Sequence, residues 1–99
     1  MSFEIDIIID RKRRWNLKEM LIEEGFSFKE WFVEFTNDRS IISFEINKTQ
    51  EEVLKRLFEF LKDAPTGTRI ILPNGTKVNP FKDDFERFYR LVCEYLVKE

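Results

Sequence analysis

Acidic side chains recur near the start of the sequence, Glu4 and Asp6 within the segment FEIDIIID and Asp10 at its end. Carboxylates that converge on one point can hold a hard cation such as Mg²⁺, which keeps several of its own waters. Asp6 and Asp10 are the candidate metal ligands on that reading, although their spacing matches no established metal motif. Directly after Asp10 comes Arg11-Lys12-Arg13-Arg14-Trp15, a run of cations ending in an indole. Guanidinium groups bind phosphate, helix N-terminal amides assist, and an indole can stack on a base. No glycine-rich phosphate loop accompanies the cluster. Cys93 falls beside apolar residues in a helical pattern, the setting of a packed side chain rather than a nucleophile.

The residue types that are missing exclude more. With no His, the chain can build no Ser-His-Asp or Cys-His site and has no imidazole base working near neutral pH. A single Cys rules out an intrachain disulfide and a cysteine-rich metal site. No cofactor is implied, and the reading leans away from an enzyme. Lys and Arg number 17 against 19 Asp and Glu, a net charge of −2. That balance argues against a general polyanion binder while leaving room for a local basic patch. The opening MSFEIDIIID has no basic stretch followed by a long apolar run, and no apolar run approaches the roughly 18 residues of a membrane span. The expectation is a cytoplasmic protein with no membrane partner. With 99 residues, 42% of them hydrophobic, the chain is expected to form a single domain over 1–99 around a Phe-rich core.

Periodicity says which elements must carry these groups. Phe3, Ile5, Ile7 and Ile9 alternate with Glu4, Asp6 and Ile8, the pattern of a half-buried strand. Asn16 followed by Glu19 predicts a helix N-cap, with Leu17, Met20, Leu21 and Glu24 on one stripe and Gly25 as the left-handed residue that ends it. Residues 28–35, FKEWFVEF, and 40–46, SIISFEI, read as an antiparallel pair joined at Asn37-Asp38. Thr49 and Glu52 form a capping box ahead of Val53, Leu54, Leu57, Phe58 and Leu61 at helical spacing. Residues 68–72, TRIIL, then Asn74-Gly75, then Thr76-Lys77-Val78 read as a two-residue hairpin. Asn79-Pro80 predicts the start of a last helix running to about Val97, with Phe81, Phe85, Phe88, Val92 and Leu96 as its stripe. The order predicts an α+β fold with a ferredoxin-like βαββαβ core, an antiparallel sheet with helices on one face. An added β-hairpin strand and a C-terminal amphipathic helix complete it.

If the helices cover the Phe3/Ile5/Ile7/Ile9 face, the opposite face is expected to carry Glu4, Asp6, Phe28, Glu30, Phe32, Glu34 and Glu45. Carboxylates interleaved with aromatic anchors suit a basic protein partner, because charge steers the encounter and rings supply affinity. The first reading of function is therefore a small non-enzymatic protein-binding module, an inhibitor or immunity-type partner of a basic protein. The alternative is a metal-dependent nuclease or nucleic-acid-binding dimer, with Arg11, Lys12, Arg13, Arg14 and Trp15 on phosphate and bases. A third reading pairs two copies through the C-terminal helix, whose stripe must otherwise fold back onto the chain.

The run from Asp10 through Arg13-Arg14, Leu17, Leu21 and Gly25 to Phe32-Val33-Glu34 also resembles the opening of the small CRISPR-associated ferredoxin-like endoribonucleases. The likeness covers residues 5–34 and implies a metal-binding role for Asp10 in a dimer. The Asp-to-Arg spacing is shorter here, and the Phe-rich terminal helix departs from that family's short strand-rich tail.

Overall fold

The computed structural model of the chain describes residues 3–32, 39–46, 51–63 and 67–97. In chain order the elements are β1 (Phe3–Asp10), α1 (Arg14–Glu23), β2 (Phe28–Phe32), β3 (Arg39–Ile46), α2 (Glu51–Lys62), β4 (Arg69–Ile71), β5 (Lys77–Val78) and α3 (Phe85–Val97). The strands form one five-stranded sheet in the order β2-β3-β1-β4-β5, and every neighbouring pair is antiparallel. Among the described residues this is an α+β fold of five strands and three helices.

The alternation in β1 sets the two sides of the sheet. Ile5, Ile7 and Ile9 are fully buried. Across the ladder Ile5 pairs with Phe44 and Ile7 with Ile42, Ile7 also pairs with Ile70, and Ile70 pairs with Val78. Side chains directly opposite one another share a face, so one side of the sheet is apolar from β3 to β5. Leu17 and Leu21 of α1, the predicted Val53/Leu54/Leu57/Phe58/Leu61 stripe of α2, and Phe88 and Val92 of α3 are buried with it.

The third helix lies beside the second on this same side. Phe58 of α2 stacks on Phe88 of α3 at 5.5 Å and 17°, and Phe85 meets Phe58 edge-on at 6.0 Å. Tyr95 packs against Phe3 at 5.2 Å, and its hydroxyl accepts a hydrogen bond from the Asn74 N–H at 3.1 Å. The phenolic end thereby ties α3 to the β4–β5 turn. The centre of the Phe-rich stripe is satisfied within the chain.

Several local expectations are corrected. The first helix begins at Arg14, with Arg13 at its N-cap and no side-chain cap bond, so Asn16 lies inside the helix instead of capping it. Its end is as expected: Gly25 has φ +81°, and the Phe26 N–H reaches the Leu21 carbonyl at 2.9 Å. The last helix starts late. Asn79 Oδ1 accepts from the Phe81 N–H at 3.0 Å, Asp83 Oδ2 accepts from the Asn79 N–H at 2.7 Å, and Asp84 caps α3 through the Arg87 N–H at 2.8 Å. These side-chain bonds hold residues 79–84 as a turn, because Asn and Asp compete with helical backbone bonding. The hairpin has a three-residue turn: Leu72 N–H bonds the Thr76 carbonyl at 2.9 Å, and Gly75 alone takes positive φ, +87°. The proposed Asn37-Asp38 turn and Thr49 of the capping box lie outside the described residues.

Candidate functional site

The expected acidic and aromatic face does not assemble as one surface. Strand β2 pairs Phe28 with Phe44 and Glu30 with Ile42, and those partners belong to the buried side. Phe28 and Glu30 therefore stand on the helix side of the sheet, opposite to Glu4, Asp6 and Glu45. Phe28 packs half-buried against the core. Glu30 is held by α1, 2.7 Å from Lys18 Nζ and 3.5 Å from Arg14 Nε. Phe32 ends β2 as the register partner of Ser40, and Glu34 lies outside the described residues.

The other side of the sheet is covered by none of the described helices. Across its middle run Lys29, Ser43, Asp6, Ile71 and Lys77 in register. Ile8 pairs with Ile41 and with Arg69 in the next row. Glu4 and Glu45 are exposed and directly opposite. They line a hollow together with Ser27, Phe28, Lys29 and Ser43, so a lysine borders the two acids. Asp6 accepts a hydrogen bond from Ser43 Oγ at 2.6 Å. This face is mixed in charge rather than acidic.

The metal reading gains no third ligand. Asp6 is engaged by Ser43, and one Asp10 oxygen, Oδ1, is enclosed without a hydrogen-bond partner. Among the described residues no group of three or more acidic or Cys side chains is placed to hold an ion.

The basic run is divided by the fold. Arg11 Nε donates to the Arg39 carbonyl at 3.4 Å, whereas Arg14 turns to Glu30. Lys12 is exposed, Arg13 is half-buried, and Trp15 is 58% exposed. The Lys18 ammonium sits 3.9 Å from the Trp15 ring centroid and the Arg14 guanidinium 5.4 Å from it, so cations already stack on the indole.

What the sequence reading missed is the outer side of α1. Leu17 and Leu21 face the core, which turns Trp15, Glu19, Ile22 and Glu23 outward. Among the described residues the exposed large apolar side chains are Trp15 (58%), Ile22 (65%) and Phe81 (39%). Trp15 and Ile22 are separated by almost two full turns and so share one stripe. The signal was present as the spacing from position 15 to position 22, but the inward stripe of Leu17, Met20 and Leu21 had already accounted for a helix.

The charges of α1 are also reversed relative to its dipole. A helix N-terminus favours acidic residues and a C-terminus basic ones. Helix α2 obeys, with Glu51 and Glu52 in its first turn and Lys62 in its last. Helix α1 has no acid in its first turn and no base in its last; Arg11–Arg14 precede or open it, and Glu23 and Glu24 end it.

The chain matches no known family model, no curated protein and no solved structure.

Proposed function

We propose that this chain is a small non-enzymatic protein-binding module, built on a ferredoxin-like βαββαβ core, that engages its partner through the outer side of α1. The order β2-β3-β1-β4 with helices on one face supports that core. The observation that carries the binding reading is the exposure of Trp15 and Ile22 on one stripe. An indole with a neighbouring aliphatic side chain is the composition of an interface centre, and flanking charges supply the polar rim. The partner surface moves from the sheet to the helix because Glu30 is committed to Lys18 and Arg14. The test is a photoreactive phenylalanine placed at position 15 or 22 in the expressed full chain, with positions 55 and 59 on the outer side of α2 as controls. Protein adducts at 15 that vanish on Ile22→Glu support the reading. Equal adducts at all four positions, or none, overturn it.

A nucleic-acid reading is favoured by a separate observation. Arg39 Nη1 donates to the Gly67 carbonyl at 2.8 Å and Arg69 Nη1 to the Thr68 carbonyl at 2.8 Å, so neither guanidinium spends its charge on a carboxylate among the described residues. With Arg11 they gather at the end of the sheet where β1 finishes. Salt-sensitive binding of single-stranded RNA or DNA that falls with Arg39→Ala and Arg69→Ala supports this reading, and binding indifferent to both variants removes it.

A further inference from the structure

We infer that the partner of the α1 surface is a second copy of this chain, the two α1 helices packing antiparallel about a two-fold axis; the inference rests on the α1 docking reading above. The self-complementarity of the α1 surface carries it. Trp15 and Ile22 lie equally far from the midpoint between Lys18 and Glu19. An antiparallel pair centred there sets each Trp15 against the other copy's Ile22, burying both exposed side chains twice over, as an isologous interface requires.

The charges follow the same symmetry. Glu30 holds Arg14 and Lys18, and Arg56 holds Glu24 at 2.7 Å. The charges of this segment without an ion pair among the described residues are then Lys12 and Arg13 at its start and Glu19 and Glu23 toward its end. Antiparallel packing brings Lys12 of one copy near Glu23 of the other, on both sides of the axis; Arg13, one turn before the buried Leu17, adds its charge to that end from outside the seam. It also sets the two helix dipoles head to tail, so the arrangement that is unfavourable within one α1 becomes favourable across the pair. Lys18 and Glu19 are equally near the axis and each meets its own counterpart; Glu30 already neutralises Lys18, so Glu19 is the like-charge approach left uncompensated.

One helix of this length spans only about 15 Å, so the contact falls at the small end of specific interfaces and gives a weak, concentration-dependent dimer. An unrelated partner would need neither the symmetry of Trp15 with Ile22 nor a sign change halfway along the helix.

The experiment is sedimentation equilibrium of the purified full chain from micromolar to millimolar concentration, with folding followed by circular dichroism. The native chain dimerises. Ile22→Glu lowers the association constant by at least about tenfold with helix content retained. Lys12→Glu and Glu23→Lys each weaken it several-fold, and the double variant recovers it, because the exchanged charges still face one another. Glu19→Gln tightens it. Orientation is read by disulfide trapping in a Cys93→Ser background. Trp15→Cys chains cross-link to Ile22→Cys chains, whereas Ile22→Cys chains alone do not. A chain that stays monomeric throughout, a dimer indifferent to Ile22→Glu, or a cross-link between two copies of position 22 overturns the inference. A strict monomer that still gives Ile22-dependent photoadducts with a different protein overturns only the self-pairing and leaves the docking surface standing.

Discussion

Lys18 Nζ lies 2.7 Å from Glu30 Oε1, and the two side chains are only 13% and 17% exposed. This contact fastens the first helix to the edge strand β2, and Arg14 reaches the same carboxylate. Removing the acid leaves two half-buried cations without it. Glu30→Ala should therefore cost about 1–3 kcal/mol, the usual penalty for stripping a hydrogen-bonded charge of its partner. Urea unfolding should show a lower midpoint with an unchanged slope. A loss below about 0.5 kcal/mol would place the pair among ordinary surface bridges.

Phe58 and Phe88 join α2 to α3 over the sheet, both fully buried and stacked at 5.5 Å. Phe88→Ala should destabilise by about 3–5 kcal/mol through lost burial and the cavity left behind. Phe81→Ala should cost well under about 1 kcal/mol, since that ring is 39% exposed and precedes the helix. Thermal melts of the two variants separate these cases.

Gly67 and Gly75 both have positive φ, +107° and +87°, but differ in surroundings. A Cβ at position 75 meets nothing within 4 Å, whereas at 67 it runs into the Arg39 guanidinium. Gly75→Ala should cost about 1 kcal/mol of backbone strain alone. Gly67→Ala should cost more, because Arg39 must also give up its bond to the Gly67 carbonyl. Pairing Gly67→Ala with Arg39→Ala should recover part of the difference in a double-mutant cycle.

Arg13 occupies the N-cap of α1 without a side-chain cap bond. Arg13→Asp replaces a charge that opposes the dipole by one that suits it, and should stabilise the monomer by about 0.3–1 kcal/mol. The same change should weaken self-association, since it replaces a cation at the start of α1 by an acid at the end that meets the acidic end of the other copy's α1. A higher melting temperature together with weaker dimerisation is the expected result; stronger dimerisation would contradict the charge pattern proposed for the pair.

Local signals determined much of this protein. The alternation of Ile5, Ile7 and Ile9, the five-residue stripe of α2 and the left-handed glycine after α1 each report a preference set within one turn or one pleat, and all three stand in the structure. Tertiary pairing decided the rest. FKEWF places aromatic and charged residues on both of its faces, so its own pattern does not say which face is inward; that depends on its register with β3, where a one-residue slip exchanges the faces. The pairing of Phe28 with Phe44 sent Glu30 to the helix side and left Glu4, Asp6 and Glu45 without it. The C-terminal helix, likewise, had an apolar stripe that any greasy surface could satisfy, and only the stacking of Phe88 on Phe58 placed it beside α2. Hydrophobic burial is non-directional: a sequence shows that a stripe must be covered, and only the folded chain shows by what.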